Sequence, residues 1–557
     1  MRSRHSDSDA SPLLVFCLMV AVGSGVAISA PAPAAAQLGL FADQFWTGDS
    51  PGLDTAAEDG GRFGSATAAG DFNGDGFDDL AIGTPGRTVG ADGVAGEVVM
   101  LYGSPSGLTI AGHQIWTEDS AGIGGAAEPD DAFGTSLASG DFDHDGFDDL
   151  AIGVPHEGLA GLLNCGVVYV LPGSAAGLTA TGSQVWSQDS AGIASSAAAD
   201  DLFGLALAVG DFDEDGFADL AIGAPGEDGT GMPAIADIGA VHVLFGGATG
   251  ISATDSRFYQ PGDVTLGTLL PGAGIAFGGA LAAGPLLSTG QDQIAIGAPR
   301  FATSGQSGSG AVVILANPRM GGSAVGVLTQ DLAGVPGVAE VGDNFGAALA
   351  IGRFDDSLQA GLAVGSPGED IESLSAANAG VVHLFRNLFT VDAVTTIWQQ
   401  EDLPLLASET GDNFGAALGV GDFNADGRDD LVIGTPGESA GTNAGFGGGA
   451  ILYGNAVAGL SAAAAQLLPL GVVVAFPDLA YGAAFAAGHF SGHSGSDLAF
   501  AAPRMDLPLK MAREDEAPVE EGSPLANAGA VIVFASIDLF RDGFESSGTG
   551  AWSQTGP

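Results

Sequence analysis

The residues best suited to chemistry in this chain carry oxygen and recur at fixed spacing. Asp71-Phe-Asn73-Gly-Asp75-Gly-Phe77-Asp-Asp79 places side-chain oxygens at positions one, three, five and nine of a nine-residue segment, with glycine at position six. The pattern returns with Asp141, Asp143, Asp145, Phe147 and Asp149, with Asp211, Asp213, Asp215, Phe217 and Asp219, and with Asp422, Asn424, Asp426, Arg428 and Asp430. Alternate residues of a tight turn point inward, the glycine permits the bend, and the carbonyl of position seven adds an oxygen. Such a donor set suits a hard cation. Two carboxylates about 4 Å apart repel by roughly 4 kcal/mol at an effective dielectric near 20, so three or four converging ones call for a counter-charge. The rival is a metal-free, Asx-rich hairpin. An EF-hand is excluded, because it needs a bidentate Glu at position twelve and flanking helices. Here that position is Ile82, Ile152, Ile222 and Ile433, inside short apolar runs such as Leu80-Ala-Ile-Gly, so the loop joins two strands.

Other chemistry is thinly represented. Gly-x-Ser-x-Gly occurs at 48–52 and 437–441, but a nucleophile elbow needs a strand-turn-helix setting with a downstream His and acid. Both strings fall in repeat loops of a glycine-rich chain. No His-Glu-x-x-His, phosphate-binding glycine loop or Cys-x-x-Cys is present. His489, His493 and Asp497 offer three ligands to a transition metal, with a decayed cation loop as the plainer reading. His144 stands at position four of its loop and is expected to face solvent. The expectation is a non-enzyme with no catalytic residues.

These loops are positioned by a repeat. Phe-Gly pairs stand at 63, 133, 203, 277, 345 and 414, with Tyr481-Gly482 as a degenerate seventh, at spacings of 70, 70, 74, 68, 69 and 67. Each is followed by Gly-x-Pro, as in Gly83-Thr-Pro85 and Gly297-Ala-Pro299, decaying to Ala501-Ala-Pro503. Four strand-like stretches fit in each period. Strand A leads from Phe-Gly to the acidic loop, strand B is Leu-Ala-Ile-Gly, strand C is β-branched as in Gly239-Ala-Val-His-Val-Leu-Phe245, and strand D usually carries a Trp. This predicts an all-β, seven-bladed β-propeller of four-stranded antiparallel blades. Gly and Ala dominate strand A, which must crowd the central channel. Blade seven lacks a fourth strand downstream, whereas Gln44-Phe-Trp46-Thr-Gly-Asp49-Ser50 matches Gln114-Ile-Trp116-Thr-Glu-Asp119-Ser120. A strand at 44–47 is therefore expected to close blade seven, with Trp552 in the tail as the competing source. Such closure removes sheet edges.

Composition limits the partners. The chain has 67 acidic and 14 basic residues, a formal net charge of −53, and Lys510 as its one lysine. Nucleic acid and anionic membrane surfaces are poor partners for such a molecule. Arg2 and Arg4 precede an apolar run from Leu13 to Ile28, and Ala34-Ala-Ala36 fits a cleavage site, so 1–36 is expected to be a bacterial signal peptide. No membrane span is then expected in the mature chain. Only Cys17 and Cys165 are present, so the mature chain retains one cysteine and no intramolecular disulfide. The propeller is expected over 37–536 and a tail over 537–557. Gly529 follows Pro503 by 26 positions where the other blades use 11 to 14, and the stretch includes Lys510, Arg513 and Glu514-Asp-Glu516. The choice there is between a solvated insertion and a contact surface.

Phe-Gly and Gly-x-Pro flanking an Asp-x-Asp-x-Asp-Gly-x-x-Asp loop resemble the FG-GAP repeats of integrin α-subunit propellers and of secreted bacterial proteins. The resemblance runs from about Gln44 to Ser536. It implies calcium in the loop between strands A and B, held by Asp71, Asn73, Asp75, the Phe77 carbonyl and Asp79 and by the five matching positions of blades two, three and six. Blades four, five and seven depart from the pattern, with Pro285, Arg353 and His489 at position one. No calcium is expected there, and the Arg353 guanidinium beside Asp355 and Asp356 is expected to replace the ion. The implied function is a secreted or surface-displayed, monomeric binding or adhesion module for an extracellular protein or polysaccharide. The alternatives are a secreted hydrolase, since FG-GAP propellers also accompany a phospholipase D, and a structural surface-layer component.

Overall fold

A computed structural model describes residues 44–90, 93–229, 235–263, 272–288, 290–320, 323–371, 373–403, 407–439, 445, 447–468, 480–505 and 526–536. The expected signal peptide, the tail and most of the long loop after Pro503 lie outside these residues. Seven four-stranded antiparallel sheets follow one another along the chain. Blade one is typical, with strand A at Ala66–Gly70, B at Asp79–Thr84, C at Glu97–Tyr102 and D at Thr109–Trp116. Its A and B strands pair in the register Ala66↔Gly83 to Gly70↔Asp79, which leaves positions one to eight of the acidic segment as the connecting loop. Among the described residues there is no α-helix, only short 3₁₀ turns, and no helix is long and apolar enough to cross a membrane.

Blade seven is completed by the N-terminal strand. Gln44–Trp46 pairs with Ala530–Phe534 in the register Gln44↔Val533 to Trp46↔Val531. Glycine and alanine line the inner A strands, where neighbouring blades approach most closely. The core lies between blades, filled by B and C strands such as Asp79–Thr84 and Glu97–Tyr102, buried along their whole length.

Backbone geometry explains the two recurring motifs. The Phe-Gly phenylalanines are at most 1% exposed, and Tyr481 takes the same place in blade seven. In blade two the Phe133 N–H donates to Ala95 O of blade one, and in blade three the Gly204 N–H donates to its own Gly223 O. The Phe-Gly pair thus stitches each blade both to itself and to the one before. Gly134 has φ +85°, and a Cβ at Gly83 would lie 2.1 Å from Gly134 O, so backbone meets backbone across this blade junction.

A second seam runs around the ring at the other end of the A strands. In every blade the N–H of loop position eight donates to the position-one carbonyl of the preceding blade. The donors are Asp78, Asp148, Ala218, Asp292, Ala360, Asp429 and Ser496, the acceptors His489, Asp71, Asp141, Asp211, Pro285, Arg353 and Asp422, at 2.8 to 3.1 Å. Four position-eight aspartates also accept the position-one N–H through Oδ2, as Asp148 does from Asp71 at 2.9 Å. Pro285 has no N–H to give, and its partner Ala360 has no acceptor to offer. The seven loops form a closed hoop of hydrogen bonds.

Candidate metal centres

The four acidic loops adopt one geometry. The position-one aspartates accept the position-five N–H through Oδ1 and the glycine N–H through Oδ2, as in Asp71 from Asp75 at 3.1 Å and from Gly76 at 2.9 Å. Position three accepts the position-five N–H, and position five accepts the position-seven N–H. Position nine is buried and ties the loop to its blade. Asp79 accepts from Phe72 N–H at 3.0 Å and from Gly103 N–H at 2.8 Å, and Asp149, Asp219 and Asp430 repeat both bonds. Backbone donors therefore fix where each carboxylate points while leaving lone pairs free.

Among the described residues three predicted acidic residues gather within ligand distance in blades two and three, and those of blades one and six do not gather as closely. One carboxylate oxygen from each of Asp141, Asp143 and Asp145 lies within 4.8 Å of the others, and so do oxygens of Asp211, Asp213 and Asp219. Burial pushes Asp79 and Asp430 up to about 8, with Asp71 and Asp75 or Asp422 and Asp426 adding repulsion. Asp149 and Asp219 rise to about 7 for the same reasons. Burial and the neighbouring carboxylates thus both oppose ionisation of position nine in each loop.

The Oδ2 atoms of positions three and five show what fits. In blade three the Arg319 guanidinium reaches from the turn after strand C of blade four onto Asp213 and onto Asp215 Oδ2. In blade six Arg428 donates to Asp426 Oδ2 at 3.0 Å. A cationic nitrogen stands on the same atoms that sequence reasoning assigned to an ion, and an all-oxygen set of this kind suits calcium.

Three position-seven side chains do something the spacing did not reveal: they reach back over the preceding loop. Phe147 packs against Gly74, Phe217 meets the exposed His144 edge-on with ring centroids 5.7 Å apart, and Arg428 donates to Asp356 Oδ1 of blade five at 2.8 Å. Position two was also overlooked. Phe72, Phe142, Phe212, Leu286, Phe354, Phe423 and Phe490 are at most 1% exposed and anchor every loop, with or without acids. The signal was in the sequence, since six of the seven are Phe.

Blade five corrects one expectation. Arg353 does not neutralise Asp355 and Asp356. Asp355 instead bonds Arg386, from the end of strand C, at 2.7 Å, and Asp356 bonds Arg428. Arg353 contributes its backbone, and its N–H donates to Asp429. In blade seven His493 Nδ1 bonds Ser491 Oγ at 2.7 Å and Asp497 accepts from Ser536 N–H, which is the same strand-C tie made by the other position-nine aspartates. Among the described residues His489, His493 and Asp497 do not gather as a ligand cluster.

Comparison with known proteins agrees with this geometry. A family model described as FG-GAP repeat matches residues 63–99, 133–171, 203–244 and 414–452, the four stretches that contain a complete acidic loop. Phosphatidylinositol-glycan-specific phospholipase D of Rattus norvegicus is 32% identical over 173 residues, covering 30% of this chain and 19% of that protein. Integrin alpha-5 of Xenopus laevis is 38% identical over 175 residues, covering 30% of this chain and 15% of that one. The chain thus matches about a fifth or less of the length of these curated relatives. Among solved structures, a rhamnogalacturonan lyase of Bacillus licheniformis aligns at 13% identity with a TM-score of 0.33, covering 69% of this chain and 56% of that one. A likeness that slight carries no functional information. The chain is a seven-bladed β-propeller bearing FG-GAP repeats in blades one, two, three and six, and about a third of it is similar to integrin α-subunits and to phosphatidylinositol-glycan-specific phospholipase D.

Proposed function

We propose that this chain is an extracellular, monomeric binding module whose ring is braced by calcium in the A–B loops of blades one, two, three and six. In this reading its opposite face engages a protein or polysaccharide, and it acts by binding rather than by turnover. Calcium would be held by the twenty positions derived above, supplying the positive charge in blades one and two and competing with Arg319 and Arg428 for the carboxylates of blades three and six. The observation that carries the assignment of faces is the separation of the two loop sets. Acidic loops cap one end of the A strands, while Phe-Gly and Gly-x-Pro cap the other. At that other end lies a depression of about 620 Å³, bordered by Pro367, Pro436 and Pro503 and by Arg62 and Arg504. Both arginines are exposed, and among the described residues neither makes an ion pair. In a chain of net charge −53 such a pair favours a ligand that carries carboxylate or sulfate groups. Loops on a rigid scaffold are the usual seat of recognition.

A screen of acidic polysaccharides and extracellular matrix proteins, with and without calcium, tests the reading. Binding is expected to fall at least tenfold in Arg62→Ala/Arg504→Ala. Binding by that double variant as tight as by the parent would move recognition elsewhere. Hydrolysis of an ester, phospholipid or glycan by the purified chain would replace the binding role with an enzymatic one.

A further inference from the structure

On the Phe-Gly face, three blade junctions bury the same polar triad. Gln188, Asp201 and Glu227 meet between blades two and three, Gln330, Asp343 and Glu369 between four and five, and Gln400, Asp412 and Glu438 between five and six. The glutamine follows strand D of one blade. The aspartate stands two residues before the next Phe-Gly, and the glutamate two residues after the proline of its Gly-x-Pro. All nine are at most 9% exposed. In each triad the glutamine amide donates to Oε2 of the glutamate, and Oδ2 of the aspartate accepts a backbone N–H three residues upstream. The amide supplies the one donor that a pair of buried acids needs.

The junction of blades one and two breaks this rule. Glu118 takes the glutamine's place beside Asp131 and Glu157, so the donor has become a third acceptor. Glu118 is 1% and Asp131 3% exposed, and one carboxylate oxygen from each of the three residues lies within 4.8 Å of the others. Tyr169 donates its hydroxyl to Glu118 Oε1 at 2.8 Å, and Glu128 N–H donates to Asp131 at 2.5 Å. Glu118 Oε2 and Glu157 Oε2 are buried, and among the described residues no N–H or hydroxyl donor reaches them, the group beside both being the Asp131 carboxyl. Each amide triad leaves its neutral glutamine carbonyl oxygen without a partner, joined between blades five and six by Asp412 Oδ1, whereas this one leaves two carboxylate oxygens and has no amide at all. A buried carboxylate without a donor or a counter-charge is strongly unfavourable. Among the described residues no lysine, arginine or histidine pairs with this triad, and nearby Glu128 adds negative charge.

We propose that Glu118, Asp131 and Glu157 bind a divalent hard cation of the calcium class, separate from the acidic loops and on the opposite face of the ring. Oxygen ligands spaced within 4.8 Å match the edges of a coordination shell with metal–oxygen distances of about 2.3–2.6 Å, and the lack of nitrogen or sulfur disfavours zinc and copper. The half-exposed Glu157 gives the ion a route from solvent.

Two reciprocal variants of the full chain test the proposal. Glu118→Gln installs the residue that three sibling junctions already carry, so it is expected to fold. Gln188→Glu builds the acidic version between blades two and three. Calcium-45 equilibrium dialysis at millimolar calcium is expected to find one ion fewer bound in Glu118→Gln and one more in Gln188→Glu. In chelator Glu118→Gln is expected to melt above the parent, and in calcium below it. Equal stoichiometry for the parent and Glu118→Gln would overturn the site and leave a shared proton as the means of neutralisation. Asp75→Ala in parallel reads the loop sites alone, so failure of one set is distinguishable from failure of the other.

Discussion

Position three of the A–B loop is an aspartate in both blade two and blade five, and the two residues are in opposite electrostatic condition. Asp143 is pushed above the ordinary carboxylate value by burial, with Asp145 and Asp141 adding to it. Asp355 is held below that value: burial opposes its charge, but donors from Ser357 and Arg386 outweigh burial. The two turns differ at positions one, six and nine but share a buried position-two phenylalanine and the same position-eight bond to the preceding blade. Blade five carries its own cation on strand C, and blade two carries none. The fold tolerates either solution because the hoop, and not the charge, sets the shape of the loop. What charge decides is how much positive charge each loop still calls for, which the arginines on Asp213, Asp215 and Asp426 lessen in blades three and six.

The largest expected effect separates these two kinds of loop directly. At a calcium concentration ten times the dissociation constant each loop site adds about 1.4 kcal/mol, so chelation should remove about 6 kcal/mol from the four acidic loops. A melting temperature unchanged by chelator would abolish the contrast with blade five. Acidity should come next. Burial, then the adjacent Asp201, Asp343 or Asp412, raises Glu227 and Glu438 to about 7 and Glu369 to about 8. From about pH 4.5 upward the unfolded chain loses these protons while the folded chain keeps them, so stability falls until the folded values are passed. Metal-free protein should therefore melt higher at pH 5 than at pH 8, and a rise across that window would show these acids ionised in the fold. Arg386→Ala sharpens the comparison from the other side. It strands the buried Asp355 at a cost of about 3 kcal/mol, which added calcium should not restore. Full rescue by calcium would mean that blade five retains a latent ion site. The smallest change is expected for Asp75→Ala, which should lose about 1.4 kcal/mol of the calcium response and leave metal-free melting nearly untouched.

Period, blade count and the acid-bearing loops were legible in the sequence because each depends on residues close together in the chain. Phe133 and Gly134 must fill and bend the same place as Phe203 and Gly204, and repetition exposes such a need. Closure by Gln44–Trp46 was legible for the same reason, since it repeats Gln114–Trp116. The neutralising arginines were hidden. Arg319 is 106 residues from Asp213, and Arg386 is 31 from Asp355, and ring geometry brings each pair together. Arg353 misled because adjacency in a loop was taken for contact, whereas a position-one side chain in this turn has its backbone committed to the neighbouring blade. The Gln–Asp–Glu triads could have been found by the same search for periodicity. Each member comes from a different stretch, so only the assembled junction shows that Glu118 replaces an amide.

The three-residue pairing of Gln44–Trp46 with Ala530–Phe534 has a mechanical consequence. The strands are antiparallel and Gln44 faces Val533, so the chain before residue 44 and the chain after residue 534 leave from the same end of the pair. Tension applied between those two exits would peel the contacts one after another and would not shear them together. The weakest point under load is therefore the seam itself. A pull on both exits should unzip blade seven before any acidic loop feels the strain.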